Sequence, residues 1–229
     1  MKIVRLKGRA RVVDRGDVVS ELLERPGATD DLFDVLAAAA VAATEGRRFV
    51  MLGFAAGGVI APLRAMGFLH PVTAVDTSDA GLALFRELAG GWAGQVELHK
   101  EDARSWMARS RARPDVVLED ISIPARGGHV KPQITFTELP RLIRRRLAPG
   151  GVAVTNLLPP EGRTWRSALH AVRAPHRRAV VITGEEWENR VVVAADSLPP
   201  APELSRSIRD LLARIDSNQG DQIEVRTLR

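Results

Sequence analysis

The stretch Phe49-Val50-Met51-Leu52-Gly53-Phe54-Ala55-Ala56-Gly57-Gly58 decides how the chain is read. Four apolar residues without alternation make a strand buried on both faces, as in a parallel sheet covered by helices. The small residues at 53, 55 and 57 then let the backbone pass close to a ligand and present N–H groups where a helix begins. Downstream, β-rich runs alternate with helical stretches: Val72 to Val75 before Asp76, Val96 to His99 before Glu101-Asp102, and Val116 to Leu118 before Glu119-Asp120. A fifth run, Val152 to Leu158, follows the stop signal Leu147-Ala148-Pro149-Gly150-Gly151. The order predicts an α/β fold with a mostly parallel sheet. The intervening helices are expected through Met66, from a Ser78 cap to Ala89, over Ser105 to Arg111, and near Trp165 to Val172.

Both flanks differ from this core. Ile3 to Val13 and Asp17 to Leu23 read as a short β-hairpin around Asp14-Arg15-Gly16, followed by a helix over Asp30 to Ala43. After the core, Ala179 to Thr183 and Arg190 to Ala195 are joined by a short turn, which predicts an antiparallel hairpin at the sheet edge, with Glu185, Glu186, Trp187 and Glu188 read as its solvated tip in preference to one wall of an acceptor pocket. A Pro-rich break at residues 198–202 precedes an amphipathic helix from Ser205 to about Ile215, and the polar tail beyond is expected to fray. The segments are therefore 1–46, 47–198 and 199–229.

Composition narrows the function classes. Of 229 residues 45% are hydrophobic, which excludes a disordered chain, and the absence of cysteine excludes disulfides and thiolate metal sites. The basic, apolar-alternating start is no secretory signal and no apolar run reaches membrane-spanning length, so a cytoplasmic location without membrane contact is expected. The net charge of +5 comes from 33 basic residues, all arginine except Lys2, Lys7, Lys100 and Lys131. They are dispersed, with no phosphate-tracking stripe, so nucleic acid is not the expected partner. His70, His99, His129, His170 and His176 show no ligand spacing, and no metal is expected.

The chemistry concentrates at consecutive strand ends. Asp76 can accept hydrogen bonds from both hydroxyls of a ribose, and Asp102 and Asp120 place further carboxylates on the same rim, where open α/β sheets bind their ligands. An adenosine ligand with a cationic centre suits that rim: Asp76 for the ribose, Asp102 for the adenine amino group, Asp120 beside the reacting end. A dinucleotide fingerprint with Ala55 as its middle small residue fits the turn as well, although it leaves Asp102 without a task.

At this level the core resembles the S-adenosylmethionine-dependent class I methyltransferase fold, a Rossmann-like α/β architecture, and within it the spermidine synthase group. The resemblance runs from about Arg48 to Ala195 and rests on Gly53 to Gly58, Asp76, Glu101 to Met107, Pro114 to Asp120 with Ser122-Ile123-Pro124, and Leu147 to Val152. It implies a seven-stranded, mostly parallel sheet with an antiparallel edge hairpin, S-adenosylmethionine as cofactor, and a homodimer. It places Gly53, Ala55, Gly57, Asp76, Thr77, Asp102, Ala103 and Asp120 at the cofactor, with Asp120 also where the group has its catalytic carboxylate. The segment from Ser122 to Glu138 resembles the loop that closes over the substrate, with His129 and Gln133 facing the acceptor.

The departures from that group point away from a polyamine. Aminopropyltransferases carry an aspartate where this chain has Ala56, another where it has Ile123, and tyrosines along the polyamine site, whereas this chain has no tyrosine. A polycation needs several carboxylates and aromatic walls to offset its desolvation. The reading is thus a transferase that methylates a small-molecule nucleophile. The alternatives are aminopropyl or aminocarboxypropyl transfer, or S-adenosylmethionine binding without catalysis. RNA or protein methylation lacks its usual motif, because Glu119-Asp120-Ile121-Ser122 stands after the fourth strand.

Overall fold

A computed structural model describes residues 2–228. Three N-terminal strands, β1 (Lys2–Leu6), β2 (Arg9–Asp14) and β3 (Asp17–Leu23), form an antiparallel meander. The expected hairpin thus gains a strand: Gly8, at φ +75°, turns the chain within what reads as one β-run. Helix α1 (Leu32–Ala42) begins where the Asp31 carboxylate accepts the Leu32 N–H, and its alanine-rich length is buried almost all round. Beneath it the Asp34 carboxylate takes N–H groups of Thr29 and Asp30 and hydroxyls of Thr29 and Ser217, tying the N-terminal segment to the far end of the chain.

The core alternates β4 (Phe49–Leu52), α2 (Ile60–Ala65), β5 (Val72–Asp76), α3 (Leu82–Ala89), β6 (Val96–Lys100), α4 (Ala103–Arg109) and β7 (Val116–Glu119). A small hairpin, β8 (Ile123–Ala125) and β9 (Gly128–Val130), leads through α5 (Ile134–Thr137) and α6 (Leu139–Arg146) to β10 (Val152–Leu157). Then come α7 (Trp165–Arg173), β11 (Arg178–Gly184), β12 (Arg190–Ala195), α8 (Ala201–Arg214), a 3-10 turn over Asn218–Asp221, and β13 (Ile223–Thr227). The sheet order is β13-β11-β12-β10-β7-β4-β5-β6. The five strands β6, β5, β4, β7 and β10 run parallel, and β12, β11 and β13 add antiparallel pairs. Every residue of β4, β7 and β10 is buried, as their apolar runs require, and the polar Glu119, Thr155 and Asn156 at the strand ends are buried with them.

Three expectations need correction. The sheet has eight strands, because the polar tail forms β13 along β11 instead of fraying, and the β11–β12 pair is consequently not its edge. Ile223 is buried and Val225 half-buried on the core side of β13, which docks a strand whose Glu224, Arg226 and Thr227 side chains stay exposed. Helix α3 starts at Leu82 and not at Ser78, because Thr77 to Gly81 are spent on the turn around the Asp76 carboxylate. Helix α4 starts two residues earlier than expected, capped by Asp102, whose carboxylate accepts the Ser105 N–H at 2.9 Å. Among the described residues no helix is long and apolar enough to cross a membrane.

Candidate active site

Parallel strands end their chains at one edge, so the turns after β4, β5, β6 and β7 meet there. The first turn is shaped by close approach. Gly53 has φ +90°, and a β-carbon on it would lie 2.5 Å from the Asp120 carbonyl oxygen. Ala55 also sits in the left-handed region, at φ +48°. Gly81, leading into α3, leaves no room for a β-carbon, which would stand 2.0 Å from the Ala55 carbonyl oxygen.

Asp76 holds this turn in place. Its Oδ2 accepts the N–H groups of Phe54 at 2.7 Å and Ala55 at 3.0 Å, and its Oδ1 accepts that of Ser78 at 2.9 Å. A carboxylate has about four acceptor positions. One remains, so a ribose diol on Asp76 takes over one of the turn's own bonds. Asp102 uses only Oδ1 for its cap, accepting from Ser105 N–H and Oγ.

Asp120 stands half-buried at the end of β7, held by a relay that the sequence reading missed. Asn189 Nδ2 donates to Asn156 Oδ1 at 2.9 Å, and Asn156 Nδ2 donates to Asp120 Oδ1 at 2.7 Å. Burial pushes the Asp120 carboxyl above the usual carboxylate range, opposed by the nearby Lys131 cation and the Asn156 bond. The neighbouring Glu119 is fully buried, and its Oε1 accepts from Lys131 Nζ at 2.8 Å, the Ile121 N–H at 3.0 Å and Thr135 Oγ1 at 3.3 Å. Two signals for these residues were available: Asn156 is a polar residue near the rim end of an apolar strand, and Lys131 is one of four lysines in an arginine-rich chain.

These groups surround a cavity of about 650 Å³. Gly53, Ala55, Asp76, Thr77, Asp102, Ala103, Asp120 and His129 line it. Gly57 and Gln133 are not among its lining residues. Gly57 packs against the rings of Phe54 and Phe85, and Gln133 is exposed and accepts a hydrogen bond from Arg163. His129 lies in the wall with both ring nitrogens engaged, Nδ1 with Asp17 at 2.9 Å and Nε2 with Asp14 at 3.1 Å, so it fastens the β8–β9 hairpin to the N-terminal meander. The β11–β12 turn keeps Glu185, Glu186 and Glu188 exposed and is also a wall: Glu186, Trp187 and Asn189 line the cavity, and the Trp187 indole donates to Gln219 at 3.0 Å. The lining is acidic, with Asp31, Asp76, Glu101, Asp102, Asp120 and Glu186 beside the His129-bound Asp17, and Arg104 the one arginine among the described residues there.

No protein-family model matches the chain. No curated protein matches it either. Its structure is similar to that of a probable spermidine synthase from Corynebacterium glutamicum ATCC 13032, at 19% identity and a TM-score of 0.69 over 96% of this chain and 83% of that one. Human methyltransferase-like protein 13 in complex with SAH is similar at 16% identity and a TM-score of 0.61, over 82% of this chain and 93% of that one. Spermidine synthase from Thermotoga maritima gives 11% identity and a TM-score of 0.67, over 97% and 81%. Likeness at such identities is likeness of fold. The chain therefore has the class I methyltransferase fold, shared with these spermidine synthase and methyltransferase structures.

Proposed function

We propose that the chain is an S-adenosylmethionine-dependent transferase that methylates a small-molecule nucleophile, with Asp120 as the proton acceptor. The observation that carries this reading is the acidic cavity at the strand ends of a protein whose net charge is +5. A sulfonium cation is favoured among carboxylates, and the same rim offers Asp76 to a ribose and the free oxygen of Asp102 to an adenine amino group. When bound, the cofactor supplies an activated methyl group on sulfur.

The chain's own residues then have to orient the acceptor and take its proton. Asp120 is suited to both, because Asn156 and Asn189 fix one of its oxygens and leave the other for an amine or hydroxyl. The hairpin β8–β9, fastened through His129, covers the cavity and limits water. Ala56 supports methyl over aminopropyl transfer: it is fully buried in the core and does not line the cavity, so the turn offers no carboxylate to a decarboxylated cofactor's amine.

Calorimetric binding of S-adenosylmethionine, its decarboxylated form and S-adenosylhomocysteine to ligand-stripped protein tests the reading. The methionine forms are expected to bind more tightly. Asp120→Asn should keep their binding within a few-fold and lower turnover with an amine and alcohol panel about 100-fold or more. Preference for the decarboxylated form would establish aminopropyl transfer instead, and equal loss of binding in Asp120→Asn would remove Asp120 from the acceptor side.

A further inference from the structure

We propose that Lys131 is a positioning residue for the site: seated on Glu119 from the loop after β9, its ammonium favours the charged form of the adjacent Asp120. The Lys131 and Glu119 side chains are each only 2% exposed, so this is an ion pair enclosed by protein and not a surface contact. Burying two charges is costly unless geometry and further hydrogen bonds compensate. Here Glu119 Oε1 collects the ammonium, the Ile121 N–H and the Thr135 hydroxyl, so the carboxylate folds back over residue 120. Its Oε2 is buried with no partner among the described residues. A pair retained with half of one carboxylate unsatisfied is a poor device for stability alone. It does fix a cation on Glu119, the residue adjacent in sequence to the carboxylate that lines the cavity.

The groups around Asp120 are Glu119 on its own strand, Lys131 from the loop, neutral Asn156 and Asn189 from the two neighbouring segments, and Asp76, Asp102 and His129 across the cavity. Burial disfavours a charge on Asp120, a charged Glu119 repels it, and Lys131 is the cation that works against both without cancelling the burial. Lys131 belongs to the loop that also carries β8, β9 and His129, so the cation comes from the same segment that supplies part of the cavity wall.

The inference rests on the reading of Asp120 as proton acceptor only for its consequence, and its test needs neither cofactor nor acceptor. The carboxyl carbon of Asp120 is titrated by carbon-13 NMR in the full chain and in three folded variants. Lys131→Met should raise the Asp120 midpoint by about one unit or more. Glu119→Gln, which removes the repelling neighbour and leaves the cation, should lower it, and Lys131→Arg, which keeps the charge, should hold it near the parent value. Shifts of opposite sign are not produced by a residue that merely supports the fold. An unmoved midpoint in Lys131→Met overturns the proposal. If that variant does not fold, an unmoved or raised midpoint in Glu119→Gln overturns it equally.

Discussion

Gly53→Ala puts one methyl group where two parts of the candidate site touch. Gly53 has φ +90°, and Gly67, which ends α2, has φ +91° with nothing within 4 Å of a β-carbon. The two positions share the backbone strain and differ in space. Left-handed backbone costs an L residue ~1–2 kcal/mol, so Gly67→Ala should lose about that much stability. At Gly53 the new carbon would also stand 2.5 Å from the Asp120 carbonyl oxygen and 2.8 Å from its carbon. Restoring contact distance requires the two backbones to part by about 1 Å, and overpacking of this kind costs ~1–3 kcal/mol more. The expected loss is about 2–5 kcal/mol in urea unfolding. The same displacement parts the cofactor turn from Asp120, so S-adenosylhomocysteine binding should weaken about tenfold or more, while Gly67→Ala leaves it unchanged. If Gly53→Ala costs no more than Gly67→Ala and binds the ligand as the parent does, the turn and Asp120 are not the rigid unit described above.

Two further outcomes follow from burial and hydrogen bonding. His176 is buried with Nδ1 unpartnered, and burial, helped by the Arg144 cation, holds its imidazole down at about 4 against 6.5 when exposed. The unfolded chain therefore binds the extra proton between those values, stability falls as pH drops from about 6.5 towards 4, and the loss between pH 7 and pH 5 is ~2 kcal/mol. His176→Gln should remove that part of the acid slope in urea titrations, and an unchanged slope would assign the acid sensitivity elsewhere. Asp76→Asn replaces a carboxylate that accepts three N–H groups with an amide holding a single acceptor oxygen, so it should lower stability by ~1–3 kcal/mol as well as weaken cofactor binding. Parent-like stability with lost binding would mean that Asp76 serves the ligand alone.

The sequence by itself determined the parallel core. Unbroken apolar runs at 49–52, 116–118 and 152–154 can only be buried on both faces, and the residues that follow them must then gather at one sheet edge. Gly53, Asp76, Asp102 and Asp120 were legible for that reason, since their positions depend on strand ends and not on packing details. Only the tertiary structure decided what each carboxylate is bonded to. Asp76 spends three acceptor positions on its own turn, and Asp102 caps a helix. Lys131 reaches Glu119 across the hairpin β8–β9, His129 bridges to Asp14 and Asp17 more than 100 residues away, and Asn189 supports Asp120 through Asn156. The tail became β13 because β11 offered a free row of N–H and C=O groups and the core an apolar berth for Ile223. Strand burial is written in local periodicity, which one segment carries alone, whereas hydrogen-bond partners are set by which distant segments the folded chain brings within 3 Å.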